Sequence, residues 1–66
     1  MIEMSLKALR INKRMRQTDA AKALNVSVST IKSWENGKTF PKPAHINKIC
    51  VLYGVSYDNI KFVANE

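Results

Sequence analysis

The sequence predicts a small all-α domain built from five short helices. Apolar residues recur at the three- and four-residue spacing of a helix and almost nowhere alternate as they do in a strand. The chain has only 2 glycines and 2 prolines among its 66 residues, so most of it can form regular structure. A hydrophobic content of 45% favours a folded chain over a disordered one. We therefore expect one domain that spans residues 1–66.

The first two helices are predicted on either side of a cationic turn. Helix one covers about 5–13, where Ser5 can accept a bond from a free backbone N–H at the helix start. The basic run 13–16 then turns the chain into helix two, at about 17–24, where Asp19 suits the positive end of the helix dipole. The predicted buried faces carry Leu6, Leu9, Ala20, Ala21 and Leu24.

Helix three is predicted at about 28–35, directly after a short turn. Asn25, which tolerates the left-handed conformation, ends helix two, and Ser27 caps helix three. The pair 36–37, Asn-Gly, ends the helix. Its inner face carries Ile31 and Trp34, and its outer face carries Ser29, Lys32, Ser33 and Asn36.

Two further helices complete the predicted fold. Pro43 suits the first position of helix four, which ends at Gly54. Ser56 is expected to cap a last helix at about 57–61. The apolar tail 62–64 needs cover, either from the domain's own core or from a second subunit. One side of helix four carries Ile46, Ile49, Cys50 and Tyr53.

The charge distribution favours a polyanionic partner. The formal net charge is +6, and all of the excess lies before Pro43, because the basic and acidic residues after it balance. Nucleic acid is the commonest polyanion for such a surface, although a basic face kept for solubility is the alternative. One cysteine, Cys50, and one histidine, His45, give too few ligands for a structural metal site, so we expect no cofactor. The apolar runs are too short for a signal peptide or a membrane span, so we expect a cytoplasmic protein.

The segment from Gln17 to Gly37 is predicted to form a helix-turn-helix at about 17–36. Its second helix has an outer face of short polar side chains, which is the kind of helix that enters the major groove of DNA. There Lys32 can donate to guanine, Val28 can contact a thymine methyl, and Ser29 and Ser33 can pair with several bases.

These residues resemble a known family. The segment "SVSTIKSWENGKTFP" is similar to the helix-turn-helix domain of phage Cro proteins, lambda-type repressors and many bacterial regulators. The resemblance covers about Leu6 to Phe62. The chain departs from the family's usual pattern at three positions. It has Arg16 where the family usually has Thr, Ser or Asn, Asn25 where the family usually has Gly, and Pro43 where an aliphatic residue is common. The loss of the usual side chain at Arg16 is expected to remove the cap of helix two. The other residues that carry the resemblance are Leu9, Arg10, Gln17, Ala21, Leu24, Val26, Ser27, Ile31, Trp34, Glu35, Asn36, Gly37, Pro41, Gly54, Val55, Ser56, Asp58 and Ile60.

The resemblance implies a role for each matched residue. Base edges would be read by Val28, Ser29, Lys32 and Ser33. The DNA backbone would be contacted by Arg16, Gln17, Ser27, Asn36, Lys38 and Thr39. Arg10 and Glu35 would form an internal ion pair that joins helices one and three.

Two function classes remain open, and a third is rejected. The first is a sequence-specific regulator, a repressor or an activator, that binds an inverted repeat in double-stranded DNA as a homodimer. The second is a protein-interaction module on the same fold, such as an antitoxin or a phage anti-repressor with a regulatory protein partner. An enzyme is rejected because the sequence shows no Cys-His pair in plausible reach, no carboxylate dyad and no phosphate loop. The expected dimer surface consists of Val55, Tyr57, Phe62 and Val63.

Overall fold

A computed structural model describes residues 3–62 of the chain and confirms the predicted all-α fold class. Within these residues the four α-helices lie where the sequence predicts them, and each end is within one residue of its predicted position. They are α1 (Leu6–Asn12), α2 (Gln17–Leu24), α3 (Val28–Glu35) and α4 (Pro43–Tyr53). None of these helices is long and apolar enough to cross a membrane.

The predicted fifth helix is wrong. Tyr57–Asn59 form a single turn of 3-10 helix, and Ser56 makes no side-chain capping bond to it. Strand β2 (Ile60–Lys61) then pairs in parallel with strand β1 (Met4–Ser5), with Met4 opposite Ile60. The extended conformation buries the Ile60 side chain, which is only 6% exposed. It also lets backbone groups of residues 60–61 form hydrogen bonds with β1. One helical turn at 57–61 would form too few hydrogen bonds to compete with that arrangement.

The predicted helix starts follow from local capping groups. The Ser5 hydroxyl accepts the Ala8 backbone N–H at 3.1 Å, and the Ser27 hydroxyl accepts that of Thr30 at 3.1 Å. Pro43 occupies the first turn of α4, where its missing N–H has no partner to lose. Two side-chain caps and one proline thus define where α1, α3 and α4 begin.

All four helices end in the same way. Each is followed by a residue with positive φ, and the next residue donates its backbone N–H to a carbonyl five positions earlier, at 2.9 to 3.1 Å. This is the Schellman arrangement, which satisfies carbonyls that the helix end would leave free. The residues with positive φ are Arg14, Asn25, Gly37 and Gly54.

The core lies where α2, α3 and α4 meet α1. Leu24 and Ile49 are 2% and 1% exposed, and Ala20 and Ala21 let α2 and α3 pack closely against each other. The core thereby fixes the second and third helices as one rigid unit. Its other buried members are Leu6, Leu9, Ile31, Trp34, Tyr53 and Ile60.

Candidate nucleic-acid interface

Helix α3 is anchored by one face and exposed on the other. Ile31, Trp34 and Glu35 are buried against the rest of the domain. Ser29 and Lys32 are exposed to solvent. The helix therefore presents a polar face of short and flexible side chains while its orientation is set by its buried side.

The four predicted base readers do not all have the same exposure. Ser29 and Lys32 lie fully on the open face, while Val28 and Ser33 are half-buried. Val28 packs partly against the core at the start of α3. Near the end of α3, the backbone carbonyl of Ser33 accepts the Lys38 N–H at 2.9 Å. The open face thus centres on Ser29 and Lys32, and Val28 and Ser33 lie at its margins.

The residues expected at the DNA backbone lie at both ends of α3. At its start, the Ser27 hydroxyl caps the helix and also lies 2.9 Å from the hydroxyl of Thr30, a half-buried residue that the sequence did not single out. At its end, Asn36, Lys38 and Thr39 are exposed in the loop that follows the helix. Polar groups therefore flank the open face on both sides.

A buried ion pair joins α1 to α3. Arg10 Nε donates to Glu35 Oε2 at 2.7 Å and Arg10 Nη2 donates to Glu35 Oε1 at 3.2 Å, and each residue is 8% exposed. Arg10 Nη1 also donates to the Met15 carbonyl at 2.9 Å, in the turn before α2. The hydrogen bond to Glu35 raises the pKa of Arg10 above its ordinary value, although burial acts against it. Each of the three guanidinium nitrogens therefore has a hydrogen-bond partner inside the protein.

Gln17, the first residue of α2, is bound to the same carboxylate. Its Nε2 donates to Glu35 Oε1 at 3.2 Å, and among residues 3–62 the second N–H of the amide and the amide oxygen have no partner. No local pattern predicts this bond, because the two residues are 18 positions apart in the sequence. The amide predicted to hold a phosphate is thus oriented by α3.

The start of α2 retains part of a cap despite Arg16. The Asp19 carboxylate accepts the Arg16 backbone N–H at 2.8 Å, so the expectation that the cap is lost is only half right. An acidic residue three positions into a helix was the signal for this bond. The Arg16 guanidinium also pairs with Asp19 at 3.2 Å, with 83% of the Arg16 side chain exposed. These bonds, the backbone one first, lower the pKa of Asp19 below its ordinary value.

Part of the expected dimer surface forms a cluster of aromatic rings. The ring centroid of Phe62 lies 4.5 Å from that of Phe40 and 5.8 Å from that of Tyr57. Phe40 and Tyr57 are 57% and 51% exposed, and we call these three residues the aromatic surface. The sequence missed Phe40, although a large aromatic residue in a polar linker was a signal. Val55 and the half-buried Phe62 both pack against the core, and Val63 lies outside the described residues.

The rest of the described chain offers little for chemistry. Across residues 3–62, the His, Cys, Asp and Glu side chains form no group that could hold a metal ion. A surface groove between α2 and α4 has a mostly apolar lining, with Lys48 as its one ionisable residue and no acidic partner beside it. It is lined by Ala23, Leu24, Asn47, Lys48, Val51 and Leu52.

Comparison with known proteins bears on this geometry. A family model described as helix-turn-helix matches residues 6–60, which include all four α-helices. Comparisons with curated proteins and with solved structures return no significant match.

Proposed function

The chain belongs to this helix-turn-helix family, that of Cro and the lambda-type repressors, and we propose that it is a sequence-specific transcription regulator. The family is one of DNA-binding domains. The proposal adds that the protein acts in the cytoplasm as a homodimer on an inverted-repeat operator in double-stranded DNA.

The open face of α3 is the observation that carries the proposal. The major groove is about 12 Å wide and admits one helix, and a helix with short outer side chains can approach the base edges closely. Lys32 would donate to guanine and Ser29 would pair with either base type. Val28 and Ser33, at the margins of the face, would contact bases at the ends of the half-site. The buried side of α3 supports this role because it leaves the helix a single orientation.

Contacts with the DNA backbone would flank this readout. Arg16 and Gln17 lie at the start of α2, and Gln17 keeps one amide N–H free for a phosphate oxygen. Ser27 lies before α3, and Asn36, Lys38 and Thr39 lie after it. The net charge of +6 supports a strong electrostatic contribution, which would make affinity fall steeply with salt.

The aromatic surface supports a homodimer. One copy of this domain would cover one half-site, and two copies about 34 Å apart along the DNA would read both halves of an inverted repeat. Phe40 and Tyr57 expose more than half of their surface, and a second copy would remove this apolar area from water.

Selection from a randomised duplex pool tests the proposed readout. Recovery of a two-fold symmetric motif is the expected result. On the selected site, Lys32→Ala is expected to weaken binding by about 5- to 150-fold, which corresponds to about 1–3 kcal/mol for one good base contact. Lys48→Ala on α4 is the matched control, since it removes one exposed positive charge away from α3. Equal losses in the two variants would refute specific readout by Lys32.

Sedimentation tests the dimer. Phe62→Glu is expected to give a monomer, whereas Val51→Glu, which places a charge on a residue of α4 that is 84% exposed, should leave the dimer intact. A Phe62→Glu variant that stays dimeric would refute the aromatic surface as the interface. If the folded protein selects no DNA motif, the aromatic surface favours the protein-interaction role instead.

A further inference from the structure

One of the four helix ends is occupied by a residue that fits it poorly. Asn25, Gly37 and Gly54 all tolerate the left-handed conformation that a Schellman end requires. At the end of α1 the same position is held by Arg14, with a φ of 57°. An arginine there is strained relative to glycine, because its Cβ crowds the following carbonyl oxygen.

The surrounding bonds give residue 14 no alternative conformation. The Arg14 backbone N–H donates to the Ile11 carbonyl at 2.8 Å, and the Met15 N–H donates to the Arg10 carbonyl at 3.1 Å. The Met15 carbonyl is in turn held by the buried Arg10 guanidinium at 2.9 Å. The turn between α1 and α2 is therefore fixed from both sides, and the strain at Arg14 persists whatever its side chain does.

Nothing inside the described part of the protein compensates for this strain. The Arg14 side chain is exposed and makes no hydrogen bond or ion pair with any of residues 3–62. Its two cationic neighbours both have intramolecular partners. Arg16 pairs with Asp19, and Lys13 Nζ lies beside the C-terminal end of α4, 3.6 Å from where a Cβ on Gly54 would stand. Arg14 is thus the member of this cationic turn whose charge the fold leaves unused.

We propose that Arg14 binds a DNA phosphate, and that this position holds an arginine for its charge at the expense of conformational fit. The inference rests on the proposed function, and it adds a backbone contact to those made by Arg16 and Gln17, two and three residues further along the chain. A strained residue that persists without an internal reason points to an external one.

The local charge favours phosphate as the ligand. No acidic residue occurs between Glu3 and Asp19, so the whole of α1 and the turn after it is free of carboxylates. A guanidinium can donate two parallel hydrogen bonds to a phosphate, and a rigid turn would deliver it with little loss of backbone entropy.

The variant Arg14→Gly separates binding from stability because the two are expected to change in opposite directions. Its melting temperature should rise, since glycine adopts the left-handed conformation without strain. Its affinity for duplex DNA should fall to a similar extent on the selected site and on unrelated sequence, as for a phosphate contact. The slope of log affinity against log salt should become shallower by about 0.9 per contact, or about 1.8 for a dimer. The ratio of wild-type to variant affinity should then shrink about threefold per contact between about 50 and 200 mM salt.

Two further variants serve as controls. Lys48→Ala removes one positive charge from α4 and should leave the salt slope unchanged. Asparagine is uncharged and tolerates the left-handed conformation, so Arg14→Asn should weaken DNA binding as Arg14→Gly does. This variant takes the place of Arg14→Gly if glycine makes the turn too flexible. An Arg14→Gly protein that is more stable yet binds DNA with the wild-type affinity and slope would overturn the inference alone. A folded wild-type protein that binds no duplex DNA would overturn the proposed function together with it.

Discussion

The buried ion pair between Arg10 and Glu35 allows a sharp prediction about stability. Their side chains are 9% and 4% exposed, so Arg10→Met would leave the Glu35 carboxylate buried without its cation. Breaking a buried pair in this way costs about 3–5 kcal/mol. A core of this size supplies about 3–5 kcal/mol of net stability in total. We therefore expect Arg10→Met to be largely unfolded at 25 °C in dilute buffer.

The double variant Arg10→Met/Glu35→Leu supplies the test. With neither charge buried, it should recover to within about 2 kcal/mol of the wild type. Urea unfolding followed by the fluorescence of Trp34, the single tryptophan, measures each variant, with a stabilising osmolyte added where the folded state is scarce. The coupling free energy of the cycle should exceed about 2 kcal/mol. If Arg10→Met loses less than about 1 kcal/mol, the pair is not the desolvated interaction described above.

Three further predictions concern single groups. Ser27→Ala should lower the free energy of unfolding by about 1 kcal/mol in urea melts, because the Thr30 N–H loses the Ser27 hydroxyl and keeps only the Ser27 carbonyl as acceptor. Burial first, and then the charge of Glu35, raises the pKa of Tyr53 to about 12. Its contribution to stability is therefore complete below about pH 10 and is lost as pH rises towards 12, which an absorbance titration of Tyr57→Phe protein can follow. Because the pKa of Asp19 is lowered in the folded protein, its ionised carboxylate stabilises the fold above about pH 4. This contribution is lost as the pH falls from there through the lowered pKa, so Asp19→Asn should show a shallower acid transition by circular dichroism.

The features that the sequence predicted are those fixed by neighbouring residues. The starts of α1, α3 and α4 follow from Ser5, Ser27 and Pro43, each of which acts within three residues of its own position. The ends of α2 and α3 follow from Asn25 and Gly37, whose residue types reveal the left-handed backbone. The face of α3 follows from the helical spacing of its apolar residues, which is why its exposed residues could be named in advance.

The features that the sequence missed depend on contacts between distant segments. The pairing of β1 with β2 brings together Met4 and Ile60, and two residues per strand leave no alternation to detect. The bond from Gln17 to Glu35 exists only after α2 and α3 have packed. Arg14 was missed for a different reason, because arginine gives no sign of a left-handed position, which only the bonds around it require.

The carboxylate of Glu35 links stability to the orientation of the DNA-binding helices. It accepts two hydrogen bonds from Arg10 and one from Gln17, and so ties α3 to α1 and to the first residue of α2. Apolar packing alone tolerates small shifts between helices, whereas hydrogen bonds to one fixed carboxylate do not. A buried ion pair adds little net stability over apolar residues of the same volume, so its contribution here lies in this alignment. Since Arg10→Met/Glu35→Leu removes the alignment while keeping the core filled, it should fold and yet bind DNA more weakly than the wild type, with Gln17 no longer held in place.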